Sequence, residues 1–120
     1  MEYHKNPERL GIAKSKNRCL QELEDCEYIF LADDDVFPIS DKWARHFIKA
    51  HKNTGCNHFA YQTKVDWLGY QHTTNGIDTF QNSSGVFIFI TKKVLEVVGG
   101  FDSRMAIYGY EHSQFSMRIF

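Results

Sequence analysis

Three consecutive carboxylates follow a hydrophobic stretch of the chain and are the side chains best suited to chemistry. Residues 28–32 read Tyr-Ile-Phe-Leu-Ala, and Asp33, Asp34 and Asp35 follow directly. Ligands bind at strand ends in open α/β sheets, and clustered carboxylates there suit a divalent cation. In an extended segment, Asp33 and Asp35 project to the same side. The pattern predicts that these two share a metal ion, with a solvated turn or a set of helix caps as the alternative.

The composition narrows the class of protein that positions these acids. A chain of 120 residues with a net charge of -1 suits one globular domain and gives no general reason to expect nucleic acid. It contains no apolar run long enough to cross a bilayer and no apolar signal region at its start. Three cysteines without paired spacing indicate buried thiols in a reducing compartment: Cys19, Cys26 and Cys56. We expect a cytoplasmic protein, either free or peripheral to a membrane.

Hydrophobic periodicity predicts alternating helices and strands, and hence an α/β fold. The helices are predicted at 6–25, 41–52, 92–98 and 110–120, and the strands at 27–32, 58–62 and 86–91. Asn6 and Pro7 suit the start of the first helix, and Ser40 or Asp41 suits that of the second. The polar and aromatic residues 63–82 predict an extended excursion over a site, with a hairpin turn at Asn75-Gly76.

Four separated segments carry more specific motifs. Residues 11–20 form a basic helix segment before the acidic strand, and 28–38 contain Asp33 and Asp35 in an Asp-x-Asp pattern. Residues 84–95 contain a Ser-Gly pair, a strand and a helix, and Val-Gly-Gly-Phe-Asp and Tyr-Gly-Tyr-Glu-His follow at 98–102 and 108–112. In this order and spacing they resemble the GT-A glycosyltransferases, especially those with family-2-like sequences. The resemblance covers nearly the whole chain and implies a Rossmann-like mixed sheet flanked by helices.

Two features depart from that family. Nothing in the chain corresponds to the initial strand and loop that bind the nucleotide in the family, so we expect residues 1–120 to be a single partial domain. His112 stands where the family usually has an aspartate, which is the usual catalytic base of inverting members. Both inverting and retaining chemistry therefore stay open.

The resemblance implies sugar transfer from a nucleotide-diphosphate donor to a saccharide or lipid-linked acceptor, with Mn²⁺ or Mg²⁺ on the departing diphosphate. Asp35 would ligate the metal directly, and Asp33 would do so through water or would hold the ribose, with Asp34 beside them in the donor site. Glu111 and His112 are the candidate bases for the acceptor hydroxyl. A helix-end charge and a surface imidazole, or an imidazole ligand to the metal, are the alternatives for this pair.

Further residues are second-tier candidates for substrate binding. Lys14 and Arg18 are four residues apart on one helical face and could approach the phosphates, or could be solvated charges. Trp67 and Tyr70 could stack on a sugar or pack locally. In the resembling family, the loop after the third helix flanks donor and acceptor, which adds these candidates: Gly100, Phe101 and Asp102.

Two other functions compete with catalysis by a transferase. The first is a non-catalytic, shortened relative that binds a sugar, a nucleotide or a protein partner. Exposed sheet edges would then favour association, including homo-oligomers. The second is phosphoryl transfer or hydrolysis at the acidic strand end, which the motifs at 98–102 and 110–112 disfavour.

Overall fold

The structure is a computed structural model, and it describes residues 5–61, 69–105 and 109–119. Its helices are α1 (Ile12–Glu22), α2 (Trp43–Thr54), α3 (Lys92–Val98) and α4 (Glu111–Ile119). Its strands are β1 (Tyr28–Ala32), β2 (His58–Ala60), β3 (Tyr70–Thr74), β4 (Ile77–Phe80) and β5 (Phe87–Thr91). Over these described residues, no helix has the length and apolar character that crossing a membrane requires.

The described strands form two antiparallel sheets. One has the order β1-β5-β2 and the other pairs β3 with β4. In the first, Tyr28 is opposite Thr91 and Ala32 is opposite Phe87. The carboxyl end of β1 therefore lies beside the amino end of β5, which brings the acids after β1 close to the residues before Phe87. The chain is mixed α/β, as its sequence predicts.

The central strand β5 separates two apolar layers, and all five of its side chains are buried. On one face, Ile88 and Ile90 join a core drawn from α1, β1, α3, the loop after α3, and α4: Ala13, Leu20, Ile29, Leu31, Val94, Phe101 and Phe115. On the other face, Phe87 and Phe89 contact aromatic rings of β1 and α2: Phe30, Trp43 and Phe47. Each buried side chain of this size stabilises the fold by about 1.5–3 kcal/mol. The core therefore fixes α1 and α4 on the same face of the sheet.

The hairpin β3–β4 confirms the predicted turn. Asn75 and Gly76 both have positive φ, 54° and 75°, as a two-residue hairpin turn requires. The pairing is irregular between Tyr70 and His72. The excursion expected at 63–82 thus contains a hairpin, although residues 62–68 lie outside the part of the chain that the structure describes.

The first two helices begin later than predicted. Helix α1 starts at Ile12, after Gly11 with φ 80°, and Asn6 does not cap it. The Asn6 side chain instead bonds to Arg18 and Ser15. Helix α2 starts at Trp43, and no side chain caps it. In both cases, polar residues that are typical helix caps lie in the segment before the helix. Residue type alone therefore places both helix starts too early.

The prediction of buried cysteines is wrong. Cys19, Cys26 and Cys56 are all free and exposed. On α1, the buried positions are Ala13 and Leu20, and Cys19 is one residue, about 100° of helix rotation, away from that face. Apolar character alone therefore did not identify the buried side of this helix.

Candidate functional site

The ammonium group of Lys16 contacts three distant segments of the chain. Its Nζ donates to the carbonyl oxygen of Gly85 at 2.9 Å and to Nε2 of His112 at 2.7 Å, and it lies 3.2 Å from Oδ1 of Asp33. An ammonium has three protons, so these acceptors use all of them. The side chain is only 12% exposed. Lys16 therefore joins α1 to the ends of β1, β5 and α4; with Asp33, Gly85, Glu111 and His112 it forms what we call the Lys16 cluster.

The bonds of His112 define its protonation state in the cluster. Nε2 accepts a hydrogen bond from the Lys16 ammonium, so Nδ1 must carry the imidazole proton and donate a hydrogen bond to Oε1 of Glu111 at 3.1 Å. Burial lowers the pKa of His112, and the Lys16 charge lowers it further against the opposing effects of Glu111 and Asp33. The imidazole is thereby held neutral, with a fixed tautomer.

Glu111 is buried at the start of α4 and orients this imidazole. Its second oxygen, Oε2, accepts the backbone N–H of Gly109 at 2.7 Å. Only 4% of the carboxylate side chain is exposed. Glu111 therefore bonds to His112 through one oxygen and to the loop before α4 through the other.

The absence of a side chain at Gly85 lets the His112 ring lie directly against its backbone. A Cβ atom at this position would overlap the ring atoms of His112. The Ser-Gly pair before β5 thus permits a close approach of backbone and imidazole.

The three acids lie at the edge of the cluster in a turn. The N–H of Asp33 donates to the carbonyl of Val86 at 2.9 Å, and the N–H of Val36 donates to the carbonyl of Asp33 at 3.1 Å. Asp33 is half-buried, while Asp34 and Asp35 are exposed. Because the segment turns after Asp33, the premise of extended chain that placed Asp33 and Asp35 on one side does not hold. Their role as metal ligands stays a prediction.

Asp33 and Asp35 offer carboxylate oxygens, the ligand type that a hard cation such as Mg²⁺ prefers. Among the described residues, no group of three His, Cys, Asp or Glu side chains could hold a metal ion. Mg²⁺ is commonly bound by one or two carboxylates together with water and substrate phosphates. The acids alone therefore do not complete a metal site, and a cation held by them would need further ligands from water or substrate.

Asn17, next to Lys16, fixes the loop after α3. Its Oδ1 accepts the N–H of Phe101 at 2.7 Å, and its Nδ2 donates to the carbonyl of the same residue at 2.8 Å. A Cβ at Gly100 would overlap the Asn17 side chain. Phe101 is buried, stacks on Phe115 at 4.4 Å and meets the His112 ring edge-on. The absence of a side chain at Gly100 thus lets Asn17 of α1 approach the Phe101 backbone closely.

Other predicted substrate-binding residues have local partners. Asp102 accepts hydrogen bonds from Arg104, which lower the pKa of its carboxyl to about 2. Arg18 donates to the segment before α1, and Lys14 is exposed. Tyr70 bonds to Thr73 within the hairpin. Trp67 lies outside the described residues, and substrate binding by this group stays a prediction.

Lys16 and Asn17 were not singled out from the sequence, although it contains a usable signal. Ala13 and Leu20 are the buried residues of α1, and positions 13, 16, 17 and 20 share one helical face. A lysine and an asparagine on a buried face require polar partners. The four-residue spacing of Lys14 and Arg18 carries no information about which face of α1 meets the core.

Comparison with known proteins supports a relationship to enzymes of sugar transfer. No protein-family model and no solved structure matches the chain. The chain is similar to a protein of Acanthamoeba polyphaga mimivirus named as an uncharacterized glycosyltransferase, with 32% identity over 116 residues. The match covers 90% of this chain, and the chain spans 45% of that relative's length. The similarity supports a glycosyltransferase relationship for this chain.

Proposed function

We propose that the chain is part of a metal-dependent glycosyltransferase with the GT-A fold. It would transfer a sugar from a nucleotide-diphosphate donor to a saccharide or lipid-linked acceptor. The Lys16 cluster carries this proposal, because one ammonium group connects segments that resemble the family's successive motifs: the helix before the acids, the acids, the Ser-Gly pair and the Glu-His pair. The similarity to a protein named as a glycosyltransferase supports the same class of reaction.

Asp33 and Asp35 would hold Mn²⁺ or Mg²⁺ together with the donor diphosphate. When bound, such a cation supplies Lewis-acid stabilisation of the departing phosphate oxygens. Asp35 is exposed at the turn, so its carboxylate oxygens are accessible. The Asp33 carboxylate, in contrast, already forms an ion pair with Lys16. This difference supports Asp35 as the more available ligand.

His112 would take the proton of the acceptor hydroxyl, and Glu111 would orient the ring. A neutral imidazole has one free electron pair, and the proton on Nδ1 places that pair on Nε2. Nε2 is bonded to Lys16, so proton transfer requires the ammonium to move away from it. Glu111 has both oxygens engaged and serves as a positioning residue.

The test is release of nucleotide diphosphate from a panel of nucleotide sugars, with saccharide and lipid-linked acceptors, in the presence and absence of Mn²⁺. We expect metal-dependent release that falls by at least about 10- to 100-fold in Asp35→Asn, since even outer-shell changes at metal sites cost that much. Asp41→Asn removes an exposed carboxylate before α2 and is the matched control. Release that is independent of metal, or equal in the two variants, would contradict the proposal.

A non-catalytic binding module is the second candidate. The observation in its favour is the Lys16–Asp33 ion pair, which already neutralises one of the two proposed ligands without a metal. Under this alternative, calorimetry would detect binding of a nucleotide sugar while every donor and acceptor pair gives no product.

A further inference from the structure

We propose that Lys16 is a built-in counter-ion for Asp33, and that a divalent cation must compete with this ammonium for the carboxylate. The inference deepens the proposed metal site and rests on it. Lys16 would then be a positioning residue that determines how tightly the site binds a divalent cation.

The geometry shows why the two cations compete. Lys16 Nζ lies 3.2 Å from Oδ1 of Asp33, in a side chain that is mostly shielded from water. A divalent ion on the same carboxylate would lie close to the ammonium, and the two positive charges would repel each other, with solvent screening only part of that repulsion because the Asp33 side chain is 42% exposed. The metal therefore binds at full strength only when Lys16 leaves Asp33.

Lys16 has other hydrogen-bond acceptors when it leaves Asp33. It keeps two neutral acceptors, the carbonyl of Gly85 and Nε2 of His112, and its flexible stem lets the ammonium shift among partners. An anionic phosphate near the acids would offer it a replacement for the lost charge partner. The site would then resist a bare cation and accept one that arrives with a diphosphate.

The test measures Mn²⁺ binding to the full chain without nucleotide, by electron paramagnetic resonance of free Mn²⁺ and by amide line broadening. Lys16→Met should tighten binding at residues 33–36 by at least about tenfold, the factor that about 1.4 kcal/mol represents. Lys14→Met is the matched control, because it removes the same charge from an exposed position on the same helix. Equal or weaker affinity in Lys16→Met, or an equal gain in Lys14→Met, would overturn the inference.

A measurement on the unmodified protein guards against a variant that does not fold. Titration with diamagnetic Mg²⁺ should move the Nζ resonance of Lys16 and the Nε2 resonance of His112 together, with the same saturation, while Lys14 stays unchanged. If Mg²⁺ binds at residues 33–36 and the Lys16 resonance does not move, Lys16 is not a counter-ion for Asp33, while the proposed metal site stands. Absence of binding near residues 33–36 in every variant would overturn both, whereas loss of sugar transfer alone would affect only the proposed reaction.

Discussion

The requirement for glycine at position 85 can be tested by substitution. Gly85→Ala places a Cβ against the His112 ring and should destabilise the fold by about 1–3 kcal/mol, the usual cost of overpacking. The ring should also leave Lys16, and under the proposed function the release of nucleotide diphosphate should fall with it. Urea unfolding and the His112 imidazole spectrum measure the two effects.

A double substitution separates this clash from any other cost of alanine. In a His112→Ala background the obstructing ring is absent, so adding Gly85→Ala should have little further effect on stability. An undiminished cost in that background would show that the backbone at Gly85, and not the imidazole, requires glycine.

At the level of residues, the sequence identified the acids and the Glu-His pair but not what connects them. Asp33, Glu111 and His112 were selected for their chemistry, and the Lys16 cluster brings all three together. The helical pattern marks Lys16 as a residue that needs polar partners, but tertiary packing decides which partners it has. No helical spacing rule points to an acceptor 69 or 96 residues away.

At the scale of elements, Asn17 provides the link between α1 and the loop after α3. Asn17→Ala removes two hydrogen bonds to the backbone of Phe101 and should cost about 1–3 kcal/mol, because part-buried backbone groups lose their partner. Amide hydrogen exchange at Phe101 should accelerate accordingly. Asn53→Ala, on the exposed side of α2, should leave both stability and that exchange nearly unchanged.

The elements themselves were largely predictable where the local signal and the core agree. Helix α3 lies at its predicted bounds, and β1, β5 and the Asn75-Gly76 turn were identified from continuous hydrophobicity and turn residues. The start of α1 was misplaced because Asn6 and Pro7 are typical of a helix start, while Gly11 sets the actual boundary. The antiparallel pairing of β1 with β5 was not predictable, since strand direction depends on the course of the whole chain between them.

For the molecule as a whole, His58 makes stability depend on pH. Its Nδ1–H donates to the carbonyl of Phe89 at 3.1 Å, and its Nε2 accepts from Ser116 Oγ at 2.8 Å, so it joins β2, β5 and α4 in the neutral form. Burial lowers the pKa of His58 below 6.5, against a smaller raising effect of the bond to Phe89. As the pH falls through 6.5, the unfolded chain binds this proton first, so the free energy of unfolding decreases.

Urea unfolding at about pH 7.5 and about pH 5.5 measures this loss. His58→Gln should be less stable than the parent at the higher pH and should lose less stability on acidification. His112 also has a lowered pKa, but it is present in both proteins and cancels in the comparison. His46→Gln, exposed on α2, should retain the parent's full pH dependence. An unchanged acid loss in His58→Gln would refute the assignment.

The long reach of Lys16 and Asn17 also has a kinetic consequence. Apart from Asp33, which pairs with Lys16, their partners lie 69 to 96 residues further along the chain, and contacts of such sequence separation form slowly because a large loop must close first. During synthesis, α1 and β1 leave the ribosome long before Gly85, Phe101 and His112 exist. Lys16 can therefore pair early only with Asp33, and Asn17 stays solvated until Phe101 emerges. The complete Lys16 cluster should be among the last parts of the molecule to form, after the bulk of the secondary structure.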